Sequence, residues 1–274
     1  MTKKLLILSL LGVFLVAGTV SASHAWSKYH WDISTDQSIA SPLELGDNLT
    51  TTAWNNSLGG ASSDWNASVL KNQVVAGAGN TNCGPTYGAV EICNGEDGTN
   101  GWLGLASIWV TRGRSGHIVQ GVVKVNDTYF DTPQYDSKAW RNYVVCQEVG
   151  HTFGLGHQDE SFSNTNLGTC MDYTSDPDGT VNNQLDNQHP NQHDYDMMTE
   201  MYAHLNSTDS EDPKKGKGGG NEKKPKKAGP NIDLNNPSEW GRAIKQDAQG
   251  KNSLFERDLG NGQLLITHVF WVAD

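Results

Sequence analysis

One eleven-residue stretch carries most of the residue types that could do chemistry. It runs from Gln147 to His157 and reads QEVGHTFGLGH. Gln147 and His151 are four residues apart, so on a helix they project from one face, with Glu148 beside that face. Gly154 allows a sharp turn out of the helix, after which His157 can return toward an ion that His151 faces. Two imidazoles, a third polar side chain and a carboxylate predict a zinc site with one position open to water.

The chemistry of such a site is hydrolytic. Zinc lowers the pKa of a water molecule, and a neighbouring carboxylate accepts the proton. In this stretch Glu148 is the only carboxylate, so it is the candidate general base.

The stretch resembles the zinc signature of the metzincin metallopeptidases, His-Glu-x-x-His-x-x-Gly-x-x-His. Four positions match the pattern: Glu148, His151, Gly154 and His157. Further along, Cys170-Met171-Asp172-Tyr173 resembles the Met-turn that lies beneath the zinc site in that family. The resemblance covers about residues 28–206.

The resemblance implies a secreted zinc-dependent endopeptidase with Glu148 as general base. The implied zinc ligands are His151, His157 and Gln147, with Met171 in the Met-turn. Tyr173 occupies the place of a fifth ligand or transition-state donor in some relatives, but a packed Tyr with a satisfied hydroxyl is slightly favoured here.

The implied fold is α/β: a twisted mixed sheet backed by two long helices. The active-site helix would end at Gly154, and a C-terminal helix after His193-Asp194 would close the domain. The substrate would be an extended polypeptide that pairs with the edge strand of the sheet, which we expect near His117–Val125.

Gln147 is the departure from the family pattern, because it stands where the signature has its first His. An amide oxygen reaches about as far as the distal imidazole nitrogen but is a poorer donor for zinc. Either Gln147 binds zinc more weakly, or another group takes its place. Four candidates follow the signature: Asp159, His189, His193 and Cys170. The alternative is an impaired site in a secreted protein that binds peptides or surfaces without cleaving them.

Local patterns predict the elements that position these residues. A helical stripe predicts a helix from about Ser137 to Phe153, and Asn191 is a plausible cap for a last helix over 194–205. Apolar and β-branched runs predict strands at 106–110 and 117–125.

The N-terminus has the pattern of an export signal over residues 1–25. Lys3 and Lys4 precede an apolar run over 5–17, and small residues follow at Val20-Ser21-Ala22 and Ser23-His24-Ala25. The run is shorter than the roughly 20 residues that span a bilayer. We therefore expect a secreted, extracellular protein without a membrane anchor.

Three regions follow the signal. Residues 26–206 form the patterned metallopeptidase-like region. Residues 207–230 contain seven Lys among Gly and Pro and too few apolar residues to fold, which predicts a flexible linker. In 231–274, Gly260-Asn261-Gly262 lies between two apolar runs and predicts a hairpin in a small β appendage. If this region and the linker dominated the function, the chain would be an adhesive or cell-surface module.

The four cysteines are Cys83, Cys93, Cys146 and Cys170, and an even number in an exported chain favours two disulfides. Three pairings are possible. The most local one, Cys83–Cys93 with Cys146–Cys170, is preferred. The family geometry independently implies the second bond, since it brings the active-site helix to the Met-turn.

The charge is acidic and unevenly placed. Residues 26–205 contain 21 Asp and Glu against seven Lys and Arg. Such a surface repels nucleic acid and anionic membranes and suits cations, so no nucleic-acid partner is expected. Asp176-Pro177-Asp178-Gly179, with later Asn182, Asn183 and Asp186, has some character of a calcium loop. It lacks the bidentate Glu, so an acidic surface loop is favoured over bound Ca2+.

Overall fold

The computed structural model describes residues 29–31, 42–79, 82–112, 116–181, 183–203, 232–260 and 262–273. The predicted export signal and the Lys-rich linker lie outside these residues. The described strands are β1 His30–Trp31, β2 Leu43–Asn48, β3 Asn72–Ala76, β4 Ala89–Gly95, β5 Trp102–Thr111, β6 His117–Asn126, β7 Arg242–Gln246, β8 Asn252–Gly260 and β9 Gln263–Trp271. The described helices are α1 Thr52–Trp65, α2 Asp127–Phe130, α3 Lys138–Thr152 and α4 Gln192–Met201.

The strands form one mixed sheet in the order β3-β2-β4-β6-β5-β9-β8-β7, and β1 pairs with the start of β6. The first four strands in this order are parallel, whereas β5 runs antiparallel to both β6 and β9. The predicted α/β class with a mixed sheet is therefore confirmed.

Both faces of the central strands are covered. On one face lie the helices, with a core that includes Trp65, Val149 and Phe270. On the other face the C-terminal region supplies Trp240 and Phe255 against Trp102 and Trp109 of β5. For this reason nine of the ten residues in β5 are buried, as expected for a strand with no solvent-facing side.

The helix that carries the signature begins and ends as its sequence predicts. The Ser137 side chain accepts a hydrogen bond from the backbone N–H of Trp140, and the helix is capped at Phe153. In α4, Asn191 and Asp194 form a reciprocal capping box. This last helix starts two residues earlier than predicted and ends at Met201.

One prediction about the sheet is wrong. Segment 117–125 was expected at the sheet edge, but β6 lies between β4 and β5. The physical reason is that β5 pairs antiparallel with the side of β6 that faces away from β4. The other side of β5 pairs in turn with β9. The segment predicted as a small β appendage thus continues the main sheet as β7, β8 and β9, with its hairpin where Gly260-Asn261-Gly262 predicted it.

Both disulfides of the preferred pairing are present, Cys83–Cys93 and Cys146–Cys170. Two disulfides are consistent with an exported protein. Within the described part of the chain, no helix has the length and apolar character needed to cross a membrane.

Removing the second disulfide should weaken the fold. Cys146→Ala with Cys170→Ala opens a loop with a sequence separation of 24, and loop-closure entropy predicts a loss of about 3 kcal/mol in the free energy of unfolding. Urea denaturation measures it. The matched control is Cys83→Ala with Cys93→Ala, which opens a shorter loop of separation 10 and should cost less. An unchanged free energy of unfolding for the first pair would contradict the prediction.

Candidate metal and catalytic site

The end of α3 directs two imidazoles toward one point. Gly154 has a φ of 102° and follows the helix cap, and a Cβ there would lie 2.1 Å from the Tyr29 carbonyl oxygen. Glycine is therefore required for this turn. The chain reverses through Leu155, and His157 returns to His151, so that their Nε2 atoms are 3.0 Å apart.

Hydrogen bonds fix which ring nitrogen of each imidazole carries the proton. His151 Nδ1 lies 2.8 Å from the Leu155 carbonyl oxygen, which can only accept, so Nδ1 is the donor. His157 Nδ1 likewise lies 2.7 Å from Glu160 Oε1. In the neutral form of each ring, Nε2 carries a lone pair and faces the Nε2 of the other ring. Two such lone pairs repel each other, and a proton or a metal ion between the two nitrogens removes the repulsion.

Burial favours the neutral, ligand-ready form of His157. Burial lowers the pKa of His157, although Glu160 acts in the opposite direction. Burial would raise the pKa of Glu160, but hydrogen bonds and charges from His157 and Lys245 outweigh it and lower that pKa to about 2. An ionised carboxylate that holds the second nitrogen of an imidazole is the usual support of a metal-binding His.

A third imidazole completes the group, and it comes from β9. The ring of His268 stacks on that of His151 with centroids 3.8 Å apart, and it meets His157 edge-on at 4.3 Å. Possible ligand atoms of the three rings all lie within 4.8 Å of one another, and all three residues are buried. Burial, followed by the repulsion that His151 and His157 would exert when protonated, lowers the pKa of His268 well below its ordinary value, which favours a neutral ring.

Glu148 precedes His151 by three residues on α3 and lies in a buried environment. Its side chain is fully buried, and neither carboxylate oxygen has a hydrogen-bond partner among the described residues. The carboxylate lies against β5 at Gly104, where a Cβ would come within 2.6 Å of Glu148 Oε1. Burial raises the pKa of Glu148 well above its ordinary value. A carboxylate in such surroundings is a stronger base than an exposed one.

Gln147 is held by its amide nitrogen. Nε2 donates to the Cys170 carbonyl oxygen at 2.8 Å and lies 3.4 Å from the Tyr143 hydroxyl. The amide oxygen Oε1 is buried and has no hydrogen-bond partner in the described part of the structure. An oxygen in this state can bind a cation, so ligation by Gln147 stays a prediction.

The segment around Met171 forms the floor of the site. The backbone N–H of Gln158 donates to the Met171 carbonyl oxygen, and the N–H of Tyr173 donates to that of Asp159. Met171 is buried beneath α3, where a Cβ on Gly150 would lie 2.7 Å from its sulfur. The Cys146–Cys170 bond joins α3 to the segment around Met171. Its two cysteines directly precede Gln147 and Met171 in the sequence.

Tyr173 packs beside the imidazoles. Its ring centroid lies 4.4 Å from that of His157 and 4.9 Å from that of Phe270. The ring is buried as expected, but its hydroxyl has no hydrogen-bond partner within the described residues. The favoured interpretation of a satisfied hydroxyl is therefore not what the structure shows, and a role as donor stays a prediction.

The four suggested substitutes for Gln147 lie outside the imidazole group. Cys170 is in a disulfide, and His189 is an exposed partner of Asp64 at 2.6 Å. Asp159 accepts from the backbone N–H of Ser161, and the backbone N–H of His193 donates to Asn191 at the start of α4. The residue that joins the group, His268, was missed. The only sign in the sequence that His268 could be functional is that a polar residue stands between Ile266 and Phe270 on one face of an otherwise apolar strand.

The acidic loop uses its carboxylates locally. Asp176 accepts from the backbone N–H of Val181, and Asp178 accepts from Thr180. Asn182 lies outside the described residues. Among the residues that are described, the three imidazoles are the only group in which three His, Cys, Asp or Glu ligand atoms come this close. The metal that such a group suits best is a transition metal bound by nitrogen, not Ca2+.

Comparison with protein-family models and with curated proteins finds no match to this chain.

Proposed function

We propose that this chain is a secreted zinc-dependent peptidase of the metzincin type, with its zinc on His151 and His157 and with Glu148 as general base. One observation carries the proposal: two buried imidazoles, each with its Nδ1 hydrogen-bonded, bring their Nε2 atoms to 3.0 Å. Two facing lone pairs favour a cation between them, and a metal ion is the cation that this proposal places there.

The geometry around the imidazoles fits zinc. At zinc–nitrogen distances of about 2.0–2.1 Å, two ligands of a tetrahedral ion lie about 3.3 Å apart, close to the spacing of the two Nε2 atoms. On the same helix as His151, three further buried polar atoms have no hydrogen-bond partner in the described structure: both Glu148 oxygens and Gln147 Oε1. Leaving buried polar groups unpaired costs about 1–3 kcal/mol each, so a cation bound by these residues would stabilise them.

Each residue has a distinct task in this proposal. Zinc, when bound, supplies Lewis-acid chemistry to a peptide carbonyl and to water. Glu148 would accept a proton from the attacking water and pass it to the leaving amine. Glu160 holds His157 in the tautomer that presents Nε2. The Tyr173 hydroxyl, on a ring that packs against His157, would donate to developing negative charge.

A second candidate is a metal site that only stabilises the fold. The observation that favours it is burial: Glu148 and His151 have no exposed surface, and His268 supplies a third imidazole. Structural zinc sites are closed in this way, whereas catalytic sites keep a position open. Both candidates predict bound zinc, and only the first predicts hydrolysis.

Metal analysis and a hydrolysis assay separate the candidates. We expect one zinc per chain, lost from His151→Ala and retained in His189→Ala, since His189 is exposed and binds Asp64. Hydrolysis of a mixed fluorogenic peptide library should stop with a zinc chelator and return with added zinc. The assay is run before and after release of the C-terminal strands β7, β8 and β9 from the sheet. Bound zinc without hydrolysis in either form would favour the structural site.

A further inference from the structure

We propose that residues 232–273 hold the enzyme in a closed state, in which β9 occupies the sheet edge that an extended substrate would use and His268 binds the metal. This inference rests on the proposed function, because it concerns access to the same site.

The first observation is the position of β9 in the sheet. It pairs antiparallel with β5 over 102–111, and β6 holds the other side of β5. Without β9, β5 would be the edge strand next to Glu148, whose carboxylate lies against Gly104. Extended peptides bind sheets by pairing with such an edge. With β9 in place, a peptide has no free backbone on β5 to pair with.

The second observation is the face that β9 turns toward the site. Alternate residues of a strand share a face, and on this face His268 stacks against His151 while Phe270 packs against Tyr173 at 4.9 Å. Phe270 also contacts Tyr143 and Phe162, with ring centroids 5.5 and 5.9 Å away. Side chains from β9 thus fill the space beside the imidazoles that a bound peptide would need.

A separate contact comes from β7. Lys245 Nζ lies 2.8 Å from Glu160 Oε1, the same oxygen that binds His157 Nδ1. The C-terminal segment therefore meets the site at two places that are distant in sequence. Together with the apolar packing of Trp240 and Phe255 on the far face of β5, these contacts would keep the segment bound even after the chain is cut before it.

The sequence places a cleavable segment before β7. Residues 207–230 contain seven Lys among Gly and Pro, and Lys is the residue after which Lys-specific proteases cut. Cutting there turns an intramolecular contact into an association of two chains. Opening then depends on protein concentration, as for any dissociable complex.

The test uses the full chain with a recognition sequence for a specific protease inserted between Gly219 and Gly220. The probe is a fluorescently labelled peptide of residues 252–273, followed by anisotropy. The uncut chain should exclude it, whereas the cut chain, after dilution, should bind it. An unlabelled peptide should compete, and the same peptide with Phe270→Ala should compete at least tenfold less well, because it lacks the ring that packs against Tyr173.

An engineered disulfide between β5 and β9, which locks the two strands together, provides the matched control. Ser107 and Thr267 are directly opposed, and their hydroxyls are 3.0 Å apart on buried strands. Ser107→Cys with Thr267→Cys should form a disulfide between β5 and β9. The locked, cut chain should then exclude the probe until mild reductant is added, while the cut chain without the lock should be insensitive to the same reductant.

Hydrolysis follows as a second readout. The cut and diluted chain should cleave the peptide library at least tenfold faster than the uncut or locked chain. Equal probe binding by cut and uncut chains would overturn the closed state. If β9 never exchanged with the probe after cutting, it would be a permanent strand of the sheet, and that result would also overturn the closed state. Probe exchange with zinc bound but no hydrolysis would leave the closure standing and would refute the peptidase.

Discussion

Glu148→Gln is expected to lower kcat for peptide hydrolysis by about 10²–10⁴-fold in the opened enzyme, the usual contribution of a general base. The carboxylate has no other task in the described structure, because neither of its oxygens makes a hydrogen bond there. Gln has nearly the same shape, so it fits the space against Gly104 that Glu148 occupies. The loss should therefore come from chemistry and not from folding.

The measurement combines a rate with a metal analysis on the cut and diluted chain. Zinc content should stay at the wild-type value, since the proposed ligands are unchanged. Glu91→Gln is the matched control: Glu91 is a buried carboxylate on β4 that hydrogen-bonds Asn48 and Thr86, and its variant should keep the wild-type rate. If Glu148→Gln retained full activity with zinc bound, Glu148 would not be the base.

Local physical chemistry made the central helix predictable. Ser137 can cap a helix start, and Gly154 can adopt the positive φ that ends one. Between them, four-residue spacing aligns side chains on a face. The return of His157 to His151 follows from the same turn, so the two-imidazole core of the site could be inferred from eleven residues. The disulfide pairing could also be chosen, because the most local pairing was the correct one.

Strand neighbours were not predictable in the same way. A strand pattern shows which side chains face a core but not which strand lies alongside. Both β5 and β6 are buried on two faces, so neither has the alternation that would mark an edge. The prediction that placed the edge near β6 failed for this reason.

His268 was missed for a related reason. It reaches the site only because β9 pairs with β5, so that His268 lies opposite Ala106. The Lys-rich linker lies between the two strands in the sequence. Their pairing depends on packing on both faces of the sheet, including that of Trp240 against Phe255. No local spacing connects His268 to the signature, and residues 231–274 were short enough to resemble an appendage.

His268→Phe is expected to weaken zinc binding in the intact chain by more than about 100-fold. Loss of a group that only supports a ligand already costs about 10–100-fold in affinity, and loss of a ligand should exceed that. Phe keeps a planar ring that can stack on His151 as His268 does, so the strand should remain in place. Competitive zinc titration measures the change, and His117→Phe, a substitution at the start of β6, is the control.

The same titration tests Gln147 through a double substitution. Gln147→His should tighten zinc binding at least tenfold, about 1.4 kcal/mol, when combined with His268→Phe. A His at this position could donate Nδ1–H to the Cys170 carbonyl oxygen, which now accepts from Gln147 Nε2, and so present Nε2 to the metal. In the intact chain the gain should be smaller, because His268 already provides a third imidazole. Equal gains in both backgrounds would show that the two positions do not share one ion. No gain in either would show that residue 147 is turned away from the metal, and Gln147 would then leave the set of ligands.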